Sequence, residues 1–124
     1  MDVLSHMVET VKPGGLVLDL QVVRPNPVVE VKGRHLCEID GEVLLLKADA
    51  AAAALDSLVR AGFIVEEAVD DHDAFEHYSA GAELIDDYAE SQRNLPDHAL
   101  PLLRSLAEAC VVREHCRLRR LRVK

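Results

Sequence analysis

The chain of 124 residues is 49% hydrophobic and 29% charged, which is the balance of one folded domain with a core large enough to fold alone. Its net charge of −8 argues against nucleic acid and against an anionic membrane as a general partner. The sequence shows no apolar run near the ~20 residues of a membrane span, and no signal peptide. Three irregularly spaced cysteines argue against a disulfide framework. We therefore expect a single cytoplasmic domain over residues 1–124.

The first third of the chain predicts a helix, a strand and a hairpin. Apolar residues at helical spacing predict a short helix over 2–11, which Pro13-Gly14-Gly15 ends. Residues 16–23 form an almost continuous run of β-forming apolar residues, typical of a strand covered on both faces. A hairpin with Gly33-Arg34 at its turn follows, where glycine suits the first central position, and its strands are expected over 28–32 and 35–39.

The middle of the chain predicts a helix and an interrupted strand. Residues 42–47 fit a strand or a helix equally well, whereas the alanine-rich stretch 48–61 predicts a helix. A strand is expected over 63–69, and it resumes around 75–78. Ser79 is then a suitable N-cap for a helix over 82–91.

The last third predicts one more helix and a closing strand. The helix covers 98–109, with its leucines inward: Leu102, Leu103 and Leu106. The strand covers 111–123, and a bulge between Arg119 and Arg120 would bring Leu118 and Leu121 to one face.

Charge is unevenly distributed along the chain. Acidic residues concentrate between 66 and 97, and basic residues fill the last twelve positions. A basic tail is compatible with nucleic acid, but the overall negative charge disfavours that interpretation. We expect instead that the basic strand lies beside the acidic strand, where opposite charges form cross-strand pairs worth ~0.2–1 kcal/mol each.

The segment Val11-Lys12-Pro13-Gly14-Gly15-Leu16-Val17-Leu18-Asp19-Leu20 resembles the turn before the fifth strand of class I S-adenosylmethionine-dependent methyltransferases. Further stretches resemble later parts of that family in the same order: Ala61-Gly62-Phe63, residues 73–84 and residues 111–121. The resemblance implies an α+β fold with helices and a small, mostly antiparallel sheet, like the C-terminal half of the family's Rossmann-like domain. It also implies that the 111–123 strand lies between the 16–23 and 63–69 strands, antiparallel to both.

The half of the family's domain that binds the cofactor has no counterpart in this chain. No Gly-x-Gly-x-Gly follows a strand, and Gly14 and Gly15 lead into a strand instead of a helix. We therefore expect no cofactor, no catalytic residue and no methyl transfer by this chain alone. Two functions remain open: a non-catalytic dimeric binding or interaction module, and the substrate-side subunit of a split methyltransferase that assembles with a separate cofactor-binding chain.

Two groups of residues are candidates for ligand binding. Gln21, Arg24 and Asn26 follow the 16–23 strand, where ligands gather in α/β sheets, so they are a possible pocket. Polar residues on an uncovered strand are the alternative. His72 and His77 lie in an acidic stretch and are weak metal candidates. They have opposite parity on a strand, and a solvated acidic strand end is the favoured interpretation.

The missing half of the domain also predicts self-association. Without a preceding strand, the 16–23 strand has an open edge and an uncovered apolar face, both of which favour pairing with another chain. We expect a homodimer with two-fold symmetry, in which Leu18, Leu20 and Val22 lie in or near the contact.

Overall fold

A computed structural model describes residues 11–124, and these residues form five strands and three helices. The elements in chain order are β1 (Leu16–Val22), β2 (Val28–Val31), β3 (Arg34–Glu38), α1 (Glu42–Arg60), β4 (Ile64–Tyr78), α2 (Gly81–Tyr88), α3 (Leu100–Ser105) and β5 (Cys110–Val123). A single 3₁₀ turn over Asp97–Ala99 leads into α3. The helix expected over 2–11 lies, apart from Val11, outside the described residues.

The strands form an antiparallel sheet in which β5 has the most partners. β1 pairs with β5, from Leu16 opposite Arg122 to Val22 opposite Cys116. β2 pairs with β3 and with β5, and β4 also pairs with β5. The order is β1-β5-β2-β3, with β4 off this path. The expected α+β class with a small antiparallel sheet is therefore confirmed, and β5 pairs with both strands expected beside it.

The chain divides into two compact units. Among the described residues, unit 1 comprises 11–23 with Leu46–His72 and Cys116–Lys124, and unit 2 comprises Arg24–Leu45 and Asp73–His115. Three elements, α1, β4 and β5, contribute residues to both units. Each unit has its own cluster of buried apolar residues.

Helix α1 resolves the ambiguity at 42–47 in favour of a helix. Asp40 Oδ1 accepts a hydrogen bond of 3.0 Å from the Glu42 N–H, which satisfies one of the free donors of the first turn. At the other end Gly62 has φ +83°, and the N–H groups of Gly62 and Phe63 bond the carbonyls of Val59 and Leu58. This is a Schellman ending. No helix within residues 11–124 is both long and apolar enough to cross a membrane.

Unit 1 buries one side of its strands beneath α1. Leu55 of α1 contributes to a cluster with residues from all three strands of the unit, namely Val17, Ile64, Leu121 and Val123. Unit 2 has a larger cluster, built from the hairpin, from α2 and α3, and from β5. Its most buried members include Val29, Ile39, Leu84, Leu103 and Val112. Cys37, Cys110 and Cys116 are buried, and none of them forms a disulfide within residues 11–124.

The hairpin is confirmed, but its turn lies one residue earlier than predicted. Val31 pairs with Arg34, so the central residues are Lys32 and Gly33. Their φ angles are +51° and +75°, as a type I′ turn requires. Glycine therefore takes the second central position, and the first is taken by a lysine.

Strand β4 is continuous from Ile64 to Tyr78, so the predicted interruption after Val69 is wrong. Four of its six acidic residues pair with basic side chains of β5, which reduces the repulsion that would oppose a strand. Ser79 is not the N-cap of α2 either. The cap is Ala80, and the Ser79 hydroxyl and N–H both bond the Glu83 carboxylate.

Two predictions about the last third are also wrong. Helix α3 ends at Ser105, and Leu102 is 53% exposed, because so short a helix covers its neighbours only through Leu103. No bulge interrupts the pairing of β5 with β1, since Leu118 lies opposite Leu20 and Leu121 opposite Val17 in one register. Leu121 is fully buried and Leu118 is half-buried on the other face.

Candidate functional site

The three residues predicted to line a pocket each make local contacts. Gln21 Nε2 donates to Asp19 Oδ1 at 3.0 Å in unit 1. In unit 2, Arg24 binds both carboxylate oxygens of Glu42, at 2.8 and 2.9 Å, and Asn26 joins the side chain of Glu38 to the Gly41 N–H. These contacts order the chain between elements. The cavities described below have other linings, and the ligand pocket remains a prediction.

The two histidines considered for metal binding lie in different units. His72 Nδ1 is 3.1 Å from Asp70 Oδ2 in unit 1, whereas His77 belongs to unit 2. Within residues 11–124, no group of three or more histidine, cysteine or acidic side chains has an arrangement that could hold a metal ion. Five of the six acidic side chains of β4 pair with an arginine instead.

Opposite charges pair along β4 and β5, as the sequence predicted. Arg117 binds Asp71 with two hydrogen bonds of 2.7 and 3.0 Å, and Arg120 and Arg122 both bind Glu67. As the residue number increases along β5, the number of the paired residue on β4 decreases, which is the order of an antiparallel pair. The hydrogen bonds lower the pKa of the Asp71 and Glu67 carboxyl groups.

Arg119 differs from its neighbours because it lies on the covered face of unit 1. The residue is 7% exposed, and its guanidinium bonds Glu66 of β4 at 2.7 Å and Asp56 of α1 at 2.8 Å. Burial alone would lower the pKa of Arg119, but the two hydrogen bonds outweigh it and raise the pKa. A cavity of about 260 Å³ adjoins these three side chains, and its other charged residue, Arg117, is paired with Asp71 outside the lining.

A second polar cluster lies in unit 2. The Tyr78 hydroxyl lies 2.8 Å from Glu76 and 2.6 Å from Asp87, and Arg93 binds both Glu76 and Glu114. The guanidinium also stacks over the Tyr88 ring, 4.5 Å from its centroid. Burial raises the pKa of both tyrosines. The cluster connects β4, β5, α2 and the segment after α2 that carries Arg93. No local sequence signal indicated this structural role.

The opposite face of the unit 1 strands is uncovered. Leu16, Leu18 and Leu20 alternate with the buried Val17 and Asp19, and Leu18 and Leu20 are each 60% exposed. The prediction that this strand is covered on both faces is therefore wrong. The burial of Val17 and Asp19 shows that only their face is covered.

Residues of β5 and β4 extend this uncovered surface. Leu118 lies opposite Leu20, and the arginines on the same side of β5 reach Glu67, which places Val65 of β4 on that side too. Val65 is 38% exposed. We call this surface the open face; its apolar residues are Leu16, Leu18, Leu20, Val65 and Leu118.

The outer edge of β1 borders the open face. Among the described residues β1 pairs only with β5, so its second edge has no strand beside it. The strand contains no proline, and its single charged residue, Asp19, is on the covered face. Such an edge lacks the features that usually prevent pairing with another chain. Of the predicted contact residues, Leu18 and Leu20 are exposed and Val22 is half-buried.

Comparison with protein families, with curated proteins and with solved structures found no match to this chain. The methyltransferase resemblance therefore remains a prediction from the residues that suggested it. The open face with the β1 edge is an exposed apolar surface of unit 1 beside a strand edge that has no partner among the described residues.

Proposed function

We propose that the chain is a non-catalytic interaction module that forms a two-fold homodimer through the β1 edge and the open face. The observation that supports this most is the exposure of Leu18 and Leu20 beside a strand edge that has no partner among residues 11–124. Apolar side chains in such a row lose contact with water when a second strand pairs beside them, at ~25 cal/mol per Å² of area buried. A second copy provides the same edge and face, as a two-fold contact requires.

One register suits the pairing of β1 with its own copy. A two-fold axis at Leu18 sets Leu18 against the partner's Leu18, and Leu16 against the partner's Leu20. The leucines of both strands then share one face, and Asp19 lies opposite the partner's Val17. An axis at Asp19 would instead set two carboxylates directly opposite each other, which is destabilising.

The proposed dimer is tested by sedimentation equilibrium with a matched pair of variants. Leu18→Glu places a charge in the contact, whereas Leu102→Glu makes the same change at an exposed leucine of α3 in unit 2. We expect the unmodified chain and the Leu102 variant to dimerise at tens of micromolar, and the Leu18 variant to dissociate. A monomeric unmodified chain, or equal behaviour of the two variants, would disprove the dimer.

The absence of catalysis is the second part of the proposal. Methyl transfer requires the cofactor's methyl group and the acceptor to be held in line, and this sequence has no Gly-x-Gly-x-Gly to hold the cofactor. Isothermal titration with S-adenosylmethionine should show no saturable binding. Binding at micromolar concentrations would contradict this part of the proposal and leave the dimer untouched.

A split methyltransferase is the alternative. The pairing of β5 with both β1 and β4 agrees with the strand order that the resemblance implies, and the free β1 edge would then accept a strand of a separate cofactor-binding chain. The two functions differ in their prediction for the isolated chain. A split subunit stays monomeric until the second chain is added, whereas the proposed module dimerises alone.

A further inference from the structure

The hairpin of unit 2 carries a cavity of about 570 Å³, which is within the usual range for sites that bind small molecules. Its lining comes from both hairpin strands, their turn and the segment before β5, and consists of Val31, Lys32, Arg34, His35, Leu36 and Glu108. It therefore combines apolar residues with three that can carry positive charge. The cavity belongs to unit 2 and shares no residue with the proposed dimer contact.

A β-bulge forms one wall of this cavity. Val29 pairs with Cys37 and Glu30 pairs with His35, so Leu36 is an extra residue in β3. In a regular strand His35 and Leu36 would point to opposite faces, yet both line the cavity. Bulges often redirect side chains in this way next to binding sites. Here the bulge sets an imidazole beside an apolar side chain.

The turn provides a second, independent indication. Lys32 has φ +51°, a conformation that asparagine, aspartate and glycine adopt more readily than lysine. The backbone therefore does not favour lysine at this position. Its side chain lines the cavity and lies 3.2 Å from Glu108, which holds the ammonium group at the rim.

The charges of the lining indicate an anion. The side chains of Arg34 and His35 are exposed and form no hydrogen bond or ion pair with another side chain of residues 11–124. The arginines of β5, by contrast, are all paired with acidic residues. Glu108 is the only acidic residue of the lining, and Lys32 already pairs with it.

We propose that the hairpin cavity binds a small organic carboxylate. The guanidinium of Arg34 matches a carboxylate with two parallel hydrogen bonds, Lys32 adds a second positive charge, and Val31 and Leu36 contact the apolar part of the ligand. An acidic peptide that adds a strand to the outer edge of β3 is a less favourable occupant. The bulge at Leu36 interrupts the regular edge that such a peptide needs.

The test is titration of the full chain with benzoate, followed by two-dimensional amide NMR. We expect saturable shifts in the hairpin amides with a Kd below about 1 mM, and weaker binding of inorganic phosphate, which has no apolar part. Arg34→Gln should weaken benzoate binding about tenfold or more, because a charge-assisted contact is lost. Arg104→Gln is the matched control, since this exposed arginine of α3 loses the same charge outside the cavity.

The Lys32→Asn variant distinguishes a ligand-binding role of Lys32 from a purely structural one. Asparagine suits the turn better than lysine, so the melting temperature should stay equal or rise while benzoate binding weakens. The proposal is overturned if benzoate causes no saturable shift in the hairpin, if phosphate binds as tightly as benzoate, or if the Arg34 and Arg104 variants bind benzoate equally.

Discussion

Arg119 is a buried charged residue on the covered face of unit 1. Leu121 and Val123 continue the same face as apolar residues, so a charged side chain is out of place there without partners. Glu66 and Asp56 provide those partners from β4 and α1. The side chain thereby connects three elements of unit 1.

Replacement of Arg119 by glutamine should destabilise the chain by about 1–3 kcal/mol. The change leaves two carboxylates without their partner, although both retain some access to water. Arg120→Gln is the control, since that exposed arginine pairs with Glu67 at the surface, and it should change stability by less than about 1 kcal/mol. Urea unfolding of the two variants measures the difference. Equal midpoints would show that the buried ion pair does not stabilise unit 1.

Residue-level predictions from the sequence succeeded where the signal was local. The pairing of acidic with basic side chains along β4 and β5 follows from the uneven charge distribution, whereas the exposure of Leu18 and Leu20 contradicts the prediction of a strand covered on both faces. The stacking of Arg93 on Tyr88 and its bond to Glu114 could not be predicted, because they join parts of the chain whose separation no local pattern specifies. The place of Lys32 at the first central position of the turn was also not predicted. Glycine is the usual residue at a position with positive φ, and Gly33 is the next residue.

At the scale of elements, α2 and α3 approach more closely than a side chain would allow. A methyl group on Gly81, the first residue of α2, would lie 2.0 Å from the carbonyl oxygen of Leu103 in α3. The Gly81 N–H also donates to the carbonyl of Leu106 at 3.1 Å. The start of α2 is thus fixed against the backbone after α3, and glycine is required there for space.

Gly81→Ala should therefore destabilise the chain by about 1–3 kcal/mol, because the two helices must move apart. Gly41→Ala is a control of the same chemistry, since its added methyl group would lie 3.3 Å from the nearest atom, the Pro27 Cδ. We expect a clearly lower melting temperature for the Gly81 variant than for the Gly41 variant. The reverse order would contradict the close contact between α2 and α3.

The elements themselves were predictable where the pattern was long. Strands β1 and β5 have nearly the expected bounds, and helix α1 ends within one residue of the expected position, although it begins at Glu42 in the stretch left open between strand and helix. Strand β4 was predicted as two pieces, since four acidic or imidazole residues at 70–73 do not resemble a strand when read alone. Their partners on β5 lie more than 40 positions away, at Arg117 and His115 among others.

At the scale of the whole molecule, the structure shows how the excess of acidic residues is accommodated. Several carboxylates have a lowered pKa, each because of a hydrogen bond to a neighbouring group. Arginine lowers the pKa of Glu42, Glu67 and Asp71, and the Ser79 hydroxyl and N–H lower that of Glu83. These contacts occur in both units, so protonation of the carboxylates affects the entire fold.

Stability should consequently decline in acid. A carboxylate whose pKa is lower in the folded chain than in the unfolded chain contributes stability above its unfolded pKa, and this is lost as the pH falls through the folded pKa. We expect a constant urea midpoint from pH 7 to about pH 5, and a steady fall below about pH 4.5, at fixed ionic strength. Glu67→Gln should flatten that fall, because Glu67 binds two arginines. Glu90→Gln, a change at an exposed residue after α2, should not. Identical acid profiles for both variants would mean that the pairs along β4 and β5 contribute nothing to the acid sensitivity of the fold.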